Sequence, residues 1–585
     1  MIPAGRRFDF RAPATLQSDE GLRPVDLAVA RWVIAHGGGA PLADVAARAS
    51  LAEGRGDSAY RIEDAALRDA LAAMPLVGNA ISNDTPFVLD GELFYLRRNF
   101  AHEVAVAGML QSRLRQDDSA QDGNDIDLQG LFDENADAAQ SGQVAAVRKA
   151  LGHPIFVLTG GPGTGKTTTV LRLLMATSRR HHATHGDWPR ILLAAPTGKA
   201  AQRLGESLRH ASPDDFPSHW HEALDHVQAG TTGTLHRMLG SRGTRGGFRH
   251  NQDMPLDPDI VVIDEASMLD LSLLRALLAA MRPDAALLLV GDADQLDSVG
   301  TGSVLQDIVA ALDDEGRHLQ RLQHAYRADA ALRPLNEAVR KGDAAAFHAA
   351  LTEAGEQVRQ IPLRDARALA LQVEAWSDAL LADYREHQFD RPVDDDDAAG
   401  IARRLAVAGR RQLLCALREG AFGAAGLNAA IEARLGPALQ AEGASDGQWY
   451  PGRRILVIRN DPASGLFNGD IGLCLLVNEG QLRVWFPGND GYPRSFDISA
   501  LPPHEPAFAM TVHKAQGSEY DEVIVLPPPR ADHPLLSRQW FYTAMSRARR
   551  QLHLWSDDDA ITQAIEHPAR RSSGLARRIR KAASA

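Results

Sequence analysis

The run Gly160-Gly161-Pro162-Gly163-Thr164-Gly165-Lys166-Thr167 has the residue types and spacing of a phosphate cradle, GxxxxGK[ST]. Its flanks matter as much as its glycines. Phe156 to Leu158 ahead of it read as a buried strand, and Val170 to Leu174 behind it resume with helical periodicity. In that setting backbone N–H groups converge on a triphosphate, and the helix N-terminus adds partial positive charge. Lys166 then reaches the β- and γ-phosphates, and the Thr167 hydroxyl reaches a Mg²⁺ ion. Nucleoside triphosphate binding is the first expectation.

Two more polar strand ends follow. The run from Ile260 closes on Asp264-Glu265, an acidic pair suited to hold the Mg²⁺ shell through Asp264 and to activate water through Glu265. Such a pair also makes a helix N-cap, but a phosphate loop upstream favours catalysis. Asp292 and Gln295 end a third apolar run, where the Gln295 amide can sense a γ-phosphate. By itself that pattern also makes a good turn.

The elements that must position these groups alternate apolar runs with amphipathic helices from about 126 to 327, the pattern of a parallel sheet covered on both faces. Ligands in such sheets sit at the carboxyl ends of the strands. Residues 1–125 read as helical and separate. Asp26 is expected to cap a helix, Asp90-Gly91 to turn a hairpin, and Gln116 to Asn124 to form a linker. Residues 328–451 and 500–585 make a second α/β unit, largely helical and Ala-rich up to 450. Residues 452–499 carry short strands with Gly and Asn turns, expected as a small β-barrel insertion. The acidic run Asp394 to Asp397 reads as a solvated loop. His181, His182 and His185 read as loop residues, with metal binding as the alternative.

The chain has 585 residues, too many for one core, and about three or four domains are expected. Hydrophobic residues make up 44% and charged residues 24%, which fits a globular protein. No apolar run is long enough to span a bilayer, and no signal peptide is evident. Two cysteines, Cys415 and Cys474, exclude a disulfide framework, so a reducing cytoplasm is expected. The net charge of −12 opposes wholesale adhesion to polyanions but leaves room for a local basic channel.

Taken in order, GGPGTGKT, AAPTGKAAQRL, VIDEAS, VGDADQLDSV, QHAYR, TVHKAQGSEYDEV and FYTAMSRAR resemble the motifs of superfamily 1 DNA helicases. Further stretches, LFYLRRNFAHEVAVAGML, LLCALREGAFGAAGLN and RILVIRNDPASGLFNGDIG, bring the chain nearest to the RecD subunits of exodeoxyribonuclease V. That resemblance covers nearly the whole chain. It implies two RecA-like P-loop motor domains with parallel sheets, a helical N-terminal docking domain and an SH3-like β-barrel at 452–499. It also implies an ATP- and Mg²⁺-dependent motor moving 5′ to 3′ on single-stranded DNA at duplex ends, in a heterotrimer with RecB-like and RecC-like subunits. Nuclease activity is expected in a partner. A free-standing helicase of the same superfamily and a nucleotide-locked regulatory subunit are the alternatives.

Residue by residue, the resemblance places the nucleotide on Gly160, Gly161, Pro162, Gly163, Thr164, Gly165, Lys166, Thr167 and Thr168. Gln143 reads the adenine edge and Tyr326 stacks on the base. Arg327 and Arg547 approach the γ-phosphate, completing a catalytic set with Lys166, Glu265 and Gln295. Pro196, Thr197, Lys199 and His236 face Thr511, His513 and Lys514 across the DNA strand. A core tyrosine and a packed histidine are the plain alternatives for Tyr326 and His236. Asn468 and Gly469 belong to a turn near the strand. Ser546 stands where many relatives carry threonine, keeping the hydroxyl.

Overall fold

A computed structural model of the chain describes residues 21–81, 84–116, 128–132, 138–243, 246–312, 316–324, 329–363, 365–440, 448–461, 463–488 and 492–583. Its framework is two parallel sheets. The first has six strands in the order Leu319–Leu322, Ile155–Gly160, Ala286–Gly291, Ile260–Ile263, Ile191–Ala195 and Thr231–Thr234. Every pairing in it is parallel. The central strands are buried along their whole length, as expected of a sheet with helices on both faces. Thr159 lies opposite Gly291, and Ile263 opposite Leu289. This register carries the phosphate loop, Asp292 and Asp264 to one end of the sheet.

The second sheet has five strands, in the order Val358–Gln360, Ala548–Leu554, Tyr520–Leu526, Arg411–Cys415 and Ala509–Thr511, again all parallel. Two of these strands, Val358–Gln360 and Arg411–Cys415, lie within the stretch read as largely helical. An antiparallel sheet follows the order Arg494–Asp497, Leu482–Phe486, Ile471–Leu476, Arg454–Val457 and His504–Pro506. It therefore runs beyond residue 499. Its two edge strands are not paired with each other among the described residues.

The N-terminal helices Pro24–Ala35, Ala40–Gly54 and Ala65–Ala72 accompany a four-stranded sheet of short strands. Phe87–Asp90 and Leu93–Leu96 form the expected hairpin, with Asp90 opposite Leu93 and Gly91 at φ +65°. Asp26 is not the cap residue. Arg23 occupies that position, and the fully buried Asp26 accepts the Arg23 backbone N–H at 2.9 Å and the Ser50 hydroxyl at 2.6 Å. The expected linker at 116–124 falls almost wholly outside the described residues.

Helix Arg97–Arg115 departs from the expected separate N-terminal unit. Its Val106, Ala107 and Leu110 share one core with Leu287 and Leu289 of the first parallel sheet and with Leu575 and Ile579 near the C-terminus. Glu103, fully buried on this helix, accepts bonds from Ser58 Oγ at 2.5 Å, Tyr95 Oη at 3.1 Å, Gly574 N at 3.1 Å and Arg578 Nε at 3.2 Å. A buried carboxylate needs this number of partners to be tolerated. Arg571 donates to the carbonyl oxygens of Ser298, Gly300 and Gly302, binding the loop after Gln295 to the C-terminal segment. Removing residues 1–120 is therefore expected to lower the thermal midpoint of the first ATPase sheet by about 10 °C or more, given the apolar burial lost. Unchanged melting of the truncated chain would make the helix peripheral.

His181, His182 and His185 are not in a loop. They form the last turns of helix Lys166–His185, where the ring of His182 stacks on Trp188 at 4.5 Å and His181 lies 3.5 Å from Asp187. Asp397 caps helix Ala398–Ala408. Among the described residues no helix is long and apolar enough to cross a membrane.

Candidate functional site

The phosphate loop leaves strand Ile155–Gly160 and enters helix Lys166–His185 through Gly163 at φ +71° and Gly165 at φ +80°. Side chains rarely adopt either conformation, so glycine is the residue that fits. Lys166 Nζ donates to the carbonyl oxygens of Gly160 at 2.7 Å and Gly161 at 2.9 Å, while Thr164 Oγ1 closes the loop onto Gly161 O at 2.9 Å. The lysine hydrogen bonds go to neutral acceptors, and its charge also acts on the Asp264 carboxyl at the same end of the sheet.

A cleft of about 370 Å³ opens above the loop. Gly163, Lys166, Thr167, Thr168, Asp264 and Glu265 line one side of it, and Gly517, Glu519, Arg547 and Arg549 line the other. It lies between the two parallel sheets. A smaller cavity of about 100 Å³ adjoins it, walled by Gly160, Gly161, Arg321, Arg340 and Tyr542.

Burial raises the Asp264 carboxyl well above the usual aspartate range, and the neighbouring Glu265 charge raises it further. A nearby cation would reverse that shift. Glu265 is held at φ +52° and ψ +42°, and among the described residues only Gln388 shares a positive φ without being glycine. Left-handed backbone at a glutamate costs about 1–2 kcal/mol, and such strain clusters at functional sites.

Across the cleft the sheets are joined by buried hydrogen bonds. Arg547 Nη2 donates to Gln295 Oε1 at 2.7 Å, and Gln295 Nε2 donates to Asp292 at 2.8 Å. The Tyr542 hydroxyl donates to the same aspartate at 3.2 Å, and Leu296 N donates to the Thr543 hydroxyl at 2.8 Å. Both ends of the Gln295 amide are thus committed within the protein. The Ser546 hydroxyl donates to Thr543 O at 3.1 Å, so the departure from threonine retains a structural bond.

Other expected residues are placed differently. Gln143 is buried and accepts from Arg172 Nη1 at 3.1 Å; it lines neither cavity. Tyr326 and Arg327 fall outside the described residues. Pro196 and His236 follow neighbouring strand ends, since Ala195 pairs with Thr234. His236 is exposed, tilted against Phe248 at 5.8 Å, which sets aside the packed-core alternative. Thr197 caps helix Gly198–Arg209. Thr511 ends strand Ala509–Thr511, and burial together with the Arg571 charge holds the His513 imidazole below its ordinary range. Lys514 is exposed and pairs with Glu505 at 2.5 Å.

Lys199 is enclosed. Its ammonium donates to Ser518 Oγ at 3.0 Å and Gly469 O at 3.3 Å, and burial, then the neighbouring Arg203 charge, pull it down to about 8. Asn468 and Gly469 serve a turn here, with Gly469 at φ +98°. Sequence reasoning missed Glu519, Arg549, Tyr542 and Arg203 as cleft residues. Three of them sit inside or directly beside the quoted motifs SEYDEV and FYTAMSRAR, and Arg203 lies within AAPTGKAAQRL.

Two parallel sheets facing each other across a phosphate loop, with polar bonds spanning the cleft, define a P-loop nucleotide-binding protein whose site lies between two sheets. Family models agree: the AAA domain matches residues 143–301, and the UvrD-like helicase C-terminal domain matches residues 506–555. The RecBCD enzyme subunit RecD of Mycolicibacterium smegmatis is 37% identical over 577 residues, covering 97% of this chain and 96% of that protein. The same subunit of Haemophilus influenzae is 31% identical, covering 74% of this chain and 71% of that protein. The ATP-dependent RecD2 DNA helicase of Deinococcus radiodurans is 32% identical over 70% of this chain and 47% of its own length. The chain belongs to the RecD family of RecBCD enzyme subunits.

Proposed function

We propose that the chain is an ATP-driven helicase that moves 5′ to 3′ on single-stranded DNA from duplex ends, bound to RecB-like and RecC-like subunits that carry the nuclease. The observation that carries this reading is the Gln295–Arg547 bond of 2.7 Å, which links the two sheets where a γ-phosphate would insert. Inserting a phosphate between them competes for both side chains, and its removal restores their contact. That exchange couples hydrolysis to relative movement of the sheets.

The residues of the cleft fit Mg-ATP. Lys166 and the loop N–H groups would hold the phosphates, while the Thr167 hydroxyl and Asp264 carboxylate would hold the ion. Mg²⁺ would supply charge neutralisation on the transferring phosphoryl group. Glu265 orients and deprotonates water, and Arg547 meets charge developing on the γ-phosphoryl oxygens. Glu265→Gln is expected to bind Mg-ATP normally yet hydrolyse it about 100-fold more slowly, as for a lost general base. A variant that failed to bind Mg-ATP would make Glu265 a metal ligand.

Thr511, Lys514, Pro196, Thr197 and His236 would contact DNA phosphates and sugars without reading bases. Lys514→Ala is expected to flatten the salt dependence of single-strand binding by about 0.7. Lys199→Met is expected to leave that slope unchanged, because its ammonium is already enclosed by protein. Equal slopes for both variants would contradict this division.

Polarity is tested with partial duplexes carrying a 5′ or a 3′ single-stranded tail. ATP-dependent displacement from the 5′-tailed substrate alone is expected. Displacement from the 3′-tailed substrate alone would overturn the assignment.

A further inference from the structure

A second cavity, of about 310 Å³, lies behind the nucleotide cleft, where helix Gly198–Arg209, the second parallel sheet and the antiparallel sheet meet. Arg203 and Glu519 line both spaces, so the two share a wall at that pair. The cavity is lined by Lys199, Arg203, Arg454 and Arg494, and its acidic lining residues are Glu206, Asp470 and Glu519.

The lining cations place their hydrogen bonds on neutral groups. Lys199 donates to Gly469 O and Ser518 Oγ, and Arg494 to Ser464 O. Arg454 donates to Arg411 O at 3.0 Å and Gln412 Oε1 at 2.8 Å. All of these acceptors are neutral. The acids accept from other groups, Glu519 from Arg549 at 3.0 Å, Glu206 from Gln202 at 2.8 Å and Asp470 from Phe467 N at 2.7 Å, while the Asp470 carboxyl also lies in the fields of Lys199 and Arg494. Arg203 donates no hydrogen bond to the described residues, and its guanidinium lies within the fields of Glu265, Glu519 and Tyr520. Four cations against three carboxylates leave the lining with an excess of positive charge, which draws an anion inward.

We propose that this cavity is an exit chamber for inorganic phosphate, with Arg203 handing the anion from the nucleotide cleft to Lys199 and Arg494. This rests on the ATPase reading above. Hydrolysis at the phosphate loop leaves ADP between the sheets, so phosphate needs a route that does not pass the nucleotide. A guanidinium on the shared wall offers a planar fork suited to phosphate oxygens. Release through the chamber would also place the anion against the turn at Gly469 and at Ser518, where the three units touch.

The test uses the full chain with single-stranded DNA, following ATP cleavage by quenched flow and phosphate release with a fluorescent phosphate sensor. Arg203→Gln and Arg494→Gln are each expected to slow release about tenfold, the low end for a hydrogen bond to a charged group, and Arg494→Gln, whose arginine lies outside the nucleotide cleft, is expected to leave cleavage unchanged. Release that keeps the wild-type rate in both variants overturns the chamber. Cleavage falling in parallel with release also overturns it, since the arginine would then act in the chemical step. A second arm does not depend on turnover: crystals of the chain with ADP and tungstate. Tungstate within hydrogen-bond distance of Arg203 in the rear cavity supports the chamber, and tungstate confined to the phosphate loop overturns it. Wild-type chain that cleaves no ATP, yet holds tungstate in the chamber, would instead sink the ATPase reading.

Discussion

Lys166→Gln is expected to abolish ATP hydrolysis while the chain stays folded. The Lys166 ammonium is held between the Gly160 and Gly161 carbonyl oxygens, at the point where the β- and γ-phosphates of a nucleotide would lie. Glutamine keeps a similar stem and an N–H donor for those carbonyls, so the loop loses little. What disappears is the full positive charge that stabilises the transferring phosphoryl group. Turnover and thermal midpoint measured on the same preparation decide the matter. Near-normal hydrolysis would remove the phosphate loop from the chemistry, whereas a collapsed melting transition would make Lys166 a structural residue.

Arg547→Ala is expected to slow hydrolysis by roughly 10³-fold, the low end for a transition-state arginine. Arg547 is buried, donates to Thr543 O at 3.0 Å and Ser518 O at 3.3 Å, and reaches across the cleft to Gln295. Alanine therefore removes both a charge and one of the bonds that join the sheets. Single-strand affinity without nucleotide should change little, because Arg547 lines the nucleotide cleft. ATPase activity that survives while DNA binding is lost would reassign Arg547 to the DNA path.

The parts legible in the sequence are those where one residue type dominates a local pattern. The four buried strands of the first sheet announce themselves as apolar runs, and three of their ends carry the phosphate loop, Asp264-Glu265 and Asp292. The edge strands were not legible. Thr231–Thr234 is a run of threonine and glycine, and Leu319–Leu322 has a single leucine for each face, one at either end of Gln320-Arg321, so neither strand makes an apolar run. Strand Arg411–Cys415 hid beside Ala-rich helices, since its short apolar run fits either structure.

Helix Arg97–Arg115 is legible as a helix, but the core it packs into is not. Its apolar face is visible in sequence, but the partner of that face is not, because Leu287, Leu289, Leu575 and Ile579 lie far away along the chain. The surroundings of Lys199 are hidden in the sequence for a similar reason. Its motif predicts a lysine on the DNA path, and only the fold brings Gly469 and Ser518 over its ammonium. Gln295 and Arg547 stand in separate motifs, and their direct bond follows from the meeting of two sheets that no local pattern encodes.

The central claim is that the cleft between the sheets hydrolyses ATP in response to DNA. It is tested most directly by ATP turnover of the purified chain with and without single-stranded DNA, with Lys166→Gln as control. The account predicts turnover that rises on adding DNA of any sequence and vanishes in the variant. Turnover indifferent to DNA, or equal in the variant, would contradict it.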